Sequence, residues 1–151
     1  VVNEEKLRQM LVKGEAVSCV CTSQVKNMSS LFKDNKLFNQ DLSSWDTSNV
    51  TNMRRTFFNA RSFNKEIGHW DTSKVTDMRG MFTYAHSFDQ DIGDWDTSNV
   101  TLMSSMFEYA ELFNQDLSRW CVTKIKVKAE HFSVSSALTD NNHPIWGTCP
   151  K

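Results

Sequence analysis

Long apolar runs are missing from this chain. No stretch approaches the roughly 18 consecutive apolar residues of a membrane-spanning helix, so insertion into a bilayer is not expected. An excess of one charge is missing too. The 17 basic and 18 acidic residues leave a net charge of −1, too balanced to draw in nucleic acid or an anionic membrane. Two prolines and five glycines are too few for a disordered linker. No leader-like segment opens the chain, and a start at Val1 rather than Met reads as a mature product or a module of something longer.

What the chain does have is a period. Trp45, Trp70, Trp95 and Trp120 recur every 25 residues, and the first three open near-identical segments: Trp45-Asp-Thr-Ser-Asn-Val50, Trp70-Asp-Thr-Ser-Lys-Val75 and Trp95-Asp-Thr-Ser-Asn-Val100. A fixed period of 20 to 50 residues signals a repeat array. Apolar columns follow the tryptophans: Val50/Val75/Val100, Met53/Met78/Met103, Phe57/Phe82/Phe107, Phe63/Phe88/Phe113 and Ile67/Ile92/Leu117. Met78, Met81, Phe82 and Ala85 stand at i, i+3, i+4 and i+7, the spacing of a short helix. Thr51, Thr76 and Thr101 are placed to cap such helices. Phe88–Ile92 alternates like a short strand. The expected fold is therefore an α/β repeat solenoid, leucine-rich-repeat-like, with one short strand and one short helix per 25-residue coil. One such unit buries too little to fold alone, so stability must come from stacking copies between capped ends.

The expected organisation is an N-terminal helical cap at 1–19, four repeats at 20–121, and a C-terminal cap at 122–151. Leu7, Met10 and Leu11 share one face of the first cap, and Gly14 is placed to end its helix. Cys21 and Cys121 occupy one repeat position four repeats apart. At about 5 Å per coil they lie some 20 Å apart, beyond the roughly 7 Å that a disulfide spans. The tail can fold back, so Cys121–Cys149 is the expected disulfide. Cys19 and Cys21 lack the spacing and the paired histidines of a zinc site.

The segment Phe38-Asn-Gln-Asp-Leu-Ser-Ser-Trp-Asp-Thr-Ser-Asn-Val-Thr-Asn-Met53, repeated as Phe88-Asp-Gln-Asp-Ile-Gly-Asp-Trp-Asp-Thr-Ser-Asn-Val-Thr-Leu-Met103, resembles the BspA-like leucine-rich repeat of bacterial surface proteins and mycoplasma lipoproteins. The resemblance covers roughly residues 20–125. It implies a secreted or surface-displayed binding domain with no catalytic residue and no defined ligand. Lys65, Glu66 and Lys74 depart from the pattern.

Two surface features are candidates for binding. Asp41, Glu66, Asp91 and Asp116 form an acidic column whose mutual repulsion favours a cationic partner, calcium or a basic peptide; the plainer alternative is that each accepts hydrogen bonds from turn amides. Tyr84 and Tyr109, with His86 nearby, offer aromatic and polar contacts suited to a protein or carbohydrate, unless the rings merely pack across coils. The four histidines share no column, so neither a metal cluster nor a catalytic triad is expected, and no cofactor is implied. An array that presents the same positions again and again suits holding a partner better than enclosing a reaction. The chain is thus expected to be an extracellular recognition or adhesion module for a protein, peptide or glycan, not an enzyme. The alternative is a structural spacer within a larger surface protein.

Overall fold

The computed structural model describes residues 1–150; Lys151, the last residue of the expected C-terminal cap, lies outside the described residues. The expected α/β solenoid, with a strand and a helix in every coil, does not form. Among the described residues, regular secondary structure consists of one α-helix, α1 (Glu4–Val12), and a single 3-10 turn at Asp140–Asn142. Among the described residues there is no sheet, only the isolated parallel bridges Asn27–Asn52, Asn52–Asp77 and Asp77–Leu102. The repeats stack as rungs built from turns.

Backbone hydrogen bonding explains why no helix appears at Met78–Ala85. A helix would send the Phe82 amide to the Met78 carbonyl. Instead the amides of Met78, Gly80, Phe82 and Tyr84 leave the rung and donate to Leu102, Ser104, Met106 and Glu108 of the next one, at 2.9 Å each. The intervening amides of Met81, Thr83 and Ala85 close turns onto Met78, Gly80 and Phe82. The preceding rung repeats this alternation from Met53 to Ala60. Two left-handed residues per rung keep the chain out of a helix: Ser30, Arg55, Gly80 and Ser105 in one column, and Asp34, Asn59, Tyr84 and Tyr109 in the other. Non-glycine residues adopt this conformation only where the surroundings fix it, and here the bonds to the next rung do so.

The expected strand fails for a different reason. The Asp89 amide is taken by the Asn64 side-chain oxygen, as the Asn64 amide is by Asn39 and the Asn114 amide by Asp89. A ladder of side chains thus replaces the main-chain ladder that a strand needs. Thr51, Thr76 and Thr101 have no helix to cap; each hydroxyl reaches back 3.3 Å to a carbonyl of the preceding rung, at Lys26, Thr51 and Thr76.

The core does follow the columns. Phe57, Phe82 and Phe107 stack with centroids 5.6 and 5.5 Å apart, and Phe63, Phe88 and Phe113 stack at 5.9 and 5.7 Å. Within each rung the two rings meet at about 4 Å, as in Phe82–Phe88 at 4.1 Å. Such offset stacks bury large area in a defined geometry. Buried hydroxyls of Thr22, Thr47, Thr72 and Thr97 bond the carbonyls of Asp46, Asp71, Asp96 and Cys121 one rung on. The Trp45, Trp95 and Trp120 indoles each donate to a carbonyl 28 residues earlier. Trp70 Nε1 is buried without a partner among the described residues.

Both ends are closed. Asn3 caps α1 by accepting the Lys6 amide at 2.9 Å, and Leu7 is fully buried. Glu4 accepts the Lys26 and Asn27 amides, while Arg8 donates to the Asn27 and Ser29 carbonyls. Those are groups that a preceding rung would otherwise pair. At the other end Phe132 meets Phe107 edge-on at 5.4 Å, and Trp146 covers Phe132 at 5.0 Å. The Cys121–Cys149 disulfide ties the tail to the last rung. Cys19 and Cys21 are free and exposed.

Two tests follow from this packing. A Cβ on Gly68 would stand 2.4 Å from the Asp91 carbonyl oxygen, so Gly68→Ala should cost about 1–3 kcal/mol in urea unfolding; an unchanged midpoint would refute the close approach. Because the disulfide spans 28 residues, Cys121→Ser with Cys149→Ser should lose about 3–4 kcal/mol. Non-reducing peptide mapping should recover the cross-linked pair.

Candidate functional site

The acidic column and the aromatic pair lie on different parts of each rung, and no hydrogen bond, ion pair or ring contact joins them among the described residues. Asp41, Asp91 and Asp116 are exposed, but each has an oxygen committed to its own turn. Asp41 accepts the Ser43 amide, Asp91 the Gly93 amide and Asp116 the Ser118 amide, all at 2.9 Å. These bonds are the turn chemistry of aspartate two residues before an amide. Glu66 holds the same column position without such a bond, and shares with Asp91, Asp94 and His69 the rim of an open depression of about 390 Å³. Among the described residues, no group of three or more His, Cys, Asp or Glu is gathered closely enough to hold a metal ion.

Hydrogen bonding tunes these carboxyls. The Ser43 amide and hydroxyl hold Asp41 below the usual carboxylate range. The Ser118 hydroxyl and amide do the same for Asp116. In the neighbouring turn column, Ser48 and Ser73 lower Asp46 and Asp71, mainly through hydroxyl bonds of 2.6 Å.

The structure brings Tyr84, Tyr109 and His86 together. The two tyrosine rings stack at 4.8 Å and 5°, with Phe58 edge-on to Tyr84 at 5.9 Å. Packing across rungs therefore accounts for the ring faces, yet Tyr84 and Tyr109 remain 36% and 37% exposed. The His86 ring lies 6.3 Å from Tyr84, and its Nδ1 lies 4.0 Å from Glu111. Both tyrosines sit at left-handed positions, which carry them to the outer edge of the turn.

Two features escape a column-by-column reading of the sequence. Lys74, which departs from the repeat pattern, donates to the Asn49 side-chain oxygen at 2.8 Å, and Lys124 donates to Asn99 at 2.7 Å. Asn49 and Asn99 in turn donate to the Ser23 and Ser73 carbonyls. The column alternates Asn and Lys as a clamp between rungs. The second feature is a group of arginines, Arg54, Arg55 and Arg79, around a depression of about 260 Å³ floored by Gly80. Arg79 is engaged by Asp77 through bonds of 2.6 to 3.2 Å.

A stacked core, turn-bound acids and an open, variable surface define a repeat protein. The chain belongs to the family described as Mycoplasma protein of unknown function, DUF285, which matches it over residues 12–72 and 64–148. The mycoplasma-type repeat family that the sequence resembles is shown at this coarser level. No curated protein and no solved structure matches the chain.

Asp41, Asp46, Asp71 and Asp116 carry a pH signature. Their folded pKa values are depressed, so the stability they contribute is present above the unfolded value of about 4 and is lost as pH falls through the folded values. The part of the thermal stability that these aspartates carry should therefore decline only below about pH 4. Asp46→Ala with Asp71→Ala should flatten that acid limb; an equally steep decline in the variant would show that other groups set it.

Proposed function

We propose that the chain is a recognition or adhesion module, secreted or displayed at the cell surface, that binds a protein, peptide or glycan through its repeated face. The observation that carries this reading is the contrast between frame and surface. The Trp, Phe and Thr columns are held ring on ring and hydroxyl on carbonyl from rung to rung. The surface columns Lys36/Arg61/His86/Glu111 and Ser44/His69/Asp94/Arg119, exposed except at the half-buried His86, change with every copy. A spacer needs only the frame. The resemblance to the BspA-like repeat supports surface display, and the Cys121–Cys149 disulfide suits an oxidising compartment.

Binding of the chain to glycan and peptide arrays tests the proposal. Saturable binding is expected. It should weaken at least about tenfold in Tyr84→Ala with Tyr109→Ala, given the weight exposed aromatics carry in interfaces. Asp91→Asn with Asp116→Asn should stay within about twofold, because those oxygens serve their own turns. A folded chain that binds nothing on either array is a spacer.

A further inference from the structure

Along the turn face three columns change sign in the same direction. One runs Lys33, Phe58, Thr83, Glu108; another runs Lys36, Arg61, His86, Glu111. The third runs Arg54, Arg79, Ser104, Glu130. Glu130 belongs there because its carbonyl accepts the Ser105 amide as that of Ser104 accepts Gly80. In these three columns the first two rungs are basic and the last positions are acidic, in a chain whose net charge is only −1.

At the basic end Lys33 meets Asp34 at 3.8 Å, a pair open to solvent on both sides. Neither Arg54 nor Arg55 forms an ion pair among the described residues. The Arg55 guanidinium lies 5.4 Å from the Phe58 ring centroid, and the Lys33 ammonium 5.8 Å from the same centroid. Each cation gains from the ring, but two on one ring repel each other. A Cβ on Gly80 would stand 3.2 Å from Arg55 Cγ. The bare glycine lets the arginine stem lie against the next rung and leaves the depression open. Between the two charged ends run Phe58, Tyr84 and Tyr109, each ring meeting the next.

Taking the recognition reading as its basis, we propose that this face docks an extended polypeptide segment with acidic side chains at one end and basic side chains at the other. Its acidic end lies on Lys33, Arg54 and Arg55, and its basic end on Glu108, Glu111 and Glu130. A uniform polyanion, such as a sulfated glycan or a nucleic acid, gains at the first rungs and is repelled at the last. Polypeptide is the polymer that carries both signs within one short stretch. Four steps between rungs and cap at about 4.8 Å span roughly 19 Å, the length of about six extended residues. Opposed charges would also fix the direction in which the segment lies.

The test uses the whole chain immobilised at low ionic strength, where surface charge is least screened. A random peptide library longer than the roughly six residues required is selected against it. Heparin-derived oligosaccharide and the chain in sedimentation serve as competing probes. Enriched peptides should carry Asp or Glu at one end and Lys or Arg at the other. Their affinity should fall at least about tenfold for Arg54→Glu with Arg55→Glu, two reversed exposed pairs together being worth over about 1.4 kcal/mol. Glu111→Lys with Glu130→Lys should weaken them similarly, and reversing the peptide's charge order should abolish the preference. All four residues are exposed, so thermal melts should be unchanged. Peptides without a sign order, or binding indifferent to both variants, overturn the proposal while recognition stands. Tighter binding of the oligosaccharide reassigns the face to an anionic glycan. A salt-sensitive dimer lost in the arginine variant reassigns it to a second copy. If no peptide and no glycan binds, the recognition reading falls too.

Discussion

Everything in this protein depends on alternate amides being spent outside their own rung. In each repeat, every second amide around the turn donates to the next copy, and those between close the local turns. Neither set suffices alone. The local turns need two left-handed residues per rung, which the isolated peptide would avoid. The bonds between rungs need a neighbour with the same shape. Once two rungs are side by side, each supplies what the other lacks, and identical side chains fall upon one another. The aromatic stacks, the buried threonine bonds and the Asn–Lys clamp all follow from this one register. The ends confirm the logic: Glu4 and Arg8 supply an acceptor and a donor where the preceding rung is missing.

The core was legible in the sequence because it depends only on the period. Trp, Val, Met and Phe recur in phase, and whatever the local backbone, positions in phase must meet the same surroundings. The backbone itself was not legible. Met78, Met81, Phe82 and Ala85 have helical spacing because a turn ladder with alternating outward amides also returns to the core at those intervals. Glycine would have flagged the left-handed positions, but of the eight only Gly80 is glycine; the others are Ser30, Asp34, Arg55, Asn59, Tyr84, Ser105 and Tyr109. The strand expected at Phe88–Ile92 is undone by Asn39, Asn64, Asp89 and Asn114, whose side chains do what a neighbouring carbonyl does in a sheet.

The candidate sites divide along the same line. Tyr84, Tyr109 and His86 are neighbours because the period makes them so. The aspartates at 41, 91 and 116 each give one oxygen to a turn amide, a use that the sequence also allowed for them. The arginines around Gly80 were hidden because Arg54 and Arg55 occupy adjacent columns and Arg79 a different rung. Their meeting needs the turn geometry, which places the Arg55 stem over a residue with no side chain. A sign change spread over three columns is likewise invisible until those columns are known to lie on one face.

The one-residue shift at the C-terminal end has a consequence for how such chains change length. Between rungs two to four, each Met carries the same bond as its counterpart 25 residues on: Met53 to Asp77, Met78 to Leu102. In the cap the step becomes longer, with Ser105 bonding Glu130 where Gly80 bonds Ser104. A whole rung can be gained or lost inside the stack without disturbing any join, because the two cut surfaces are interchangeable. Gain or loss of any other length puts the cap's irregular step in the interior. Growth in this architecture is therefore quantised, and the altered step acts as a stop signal that fixes where the count ends.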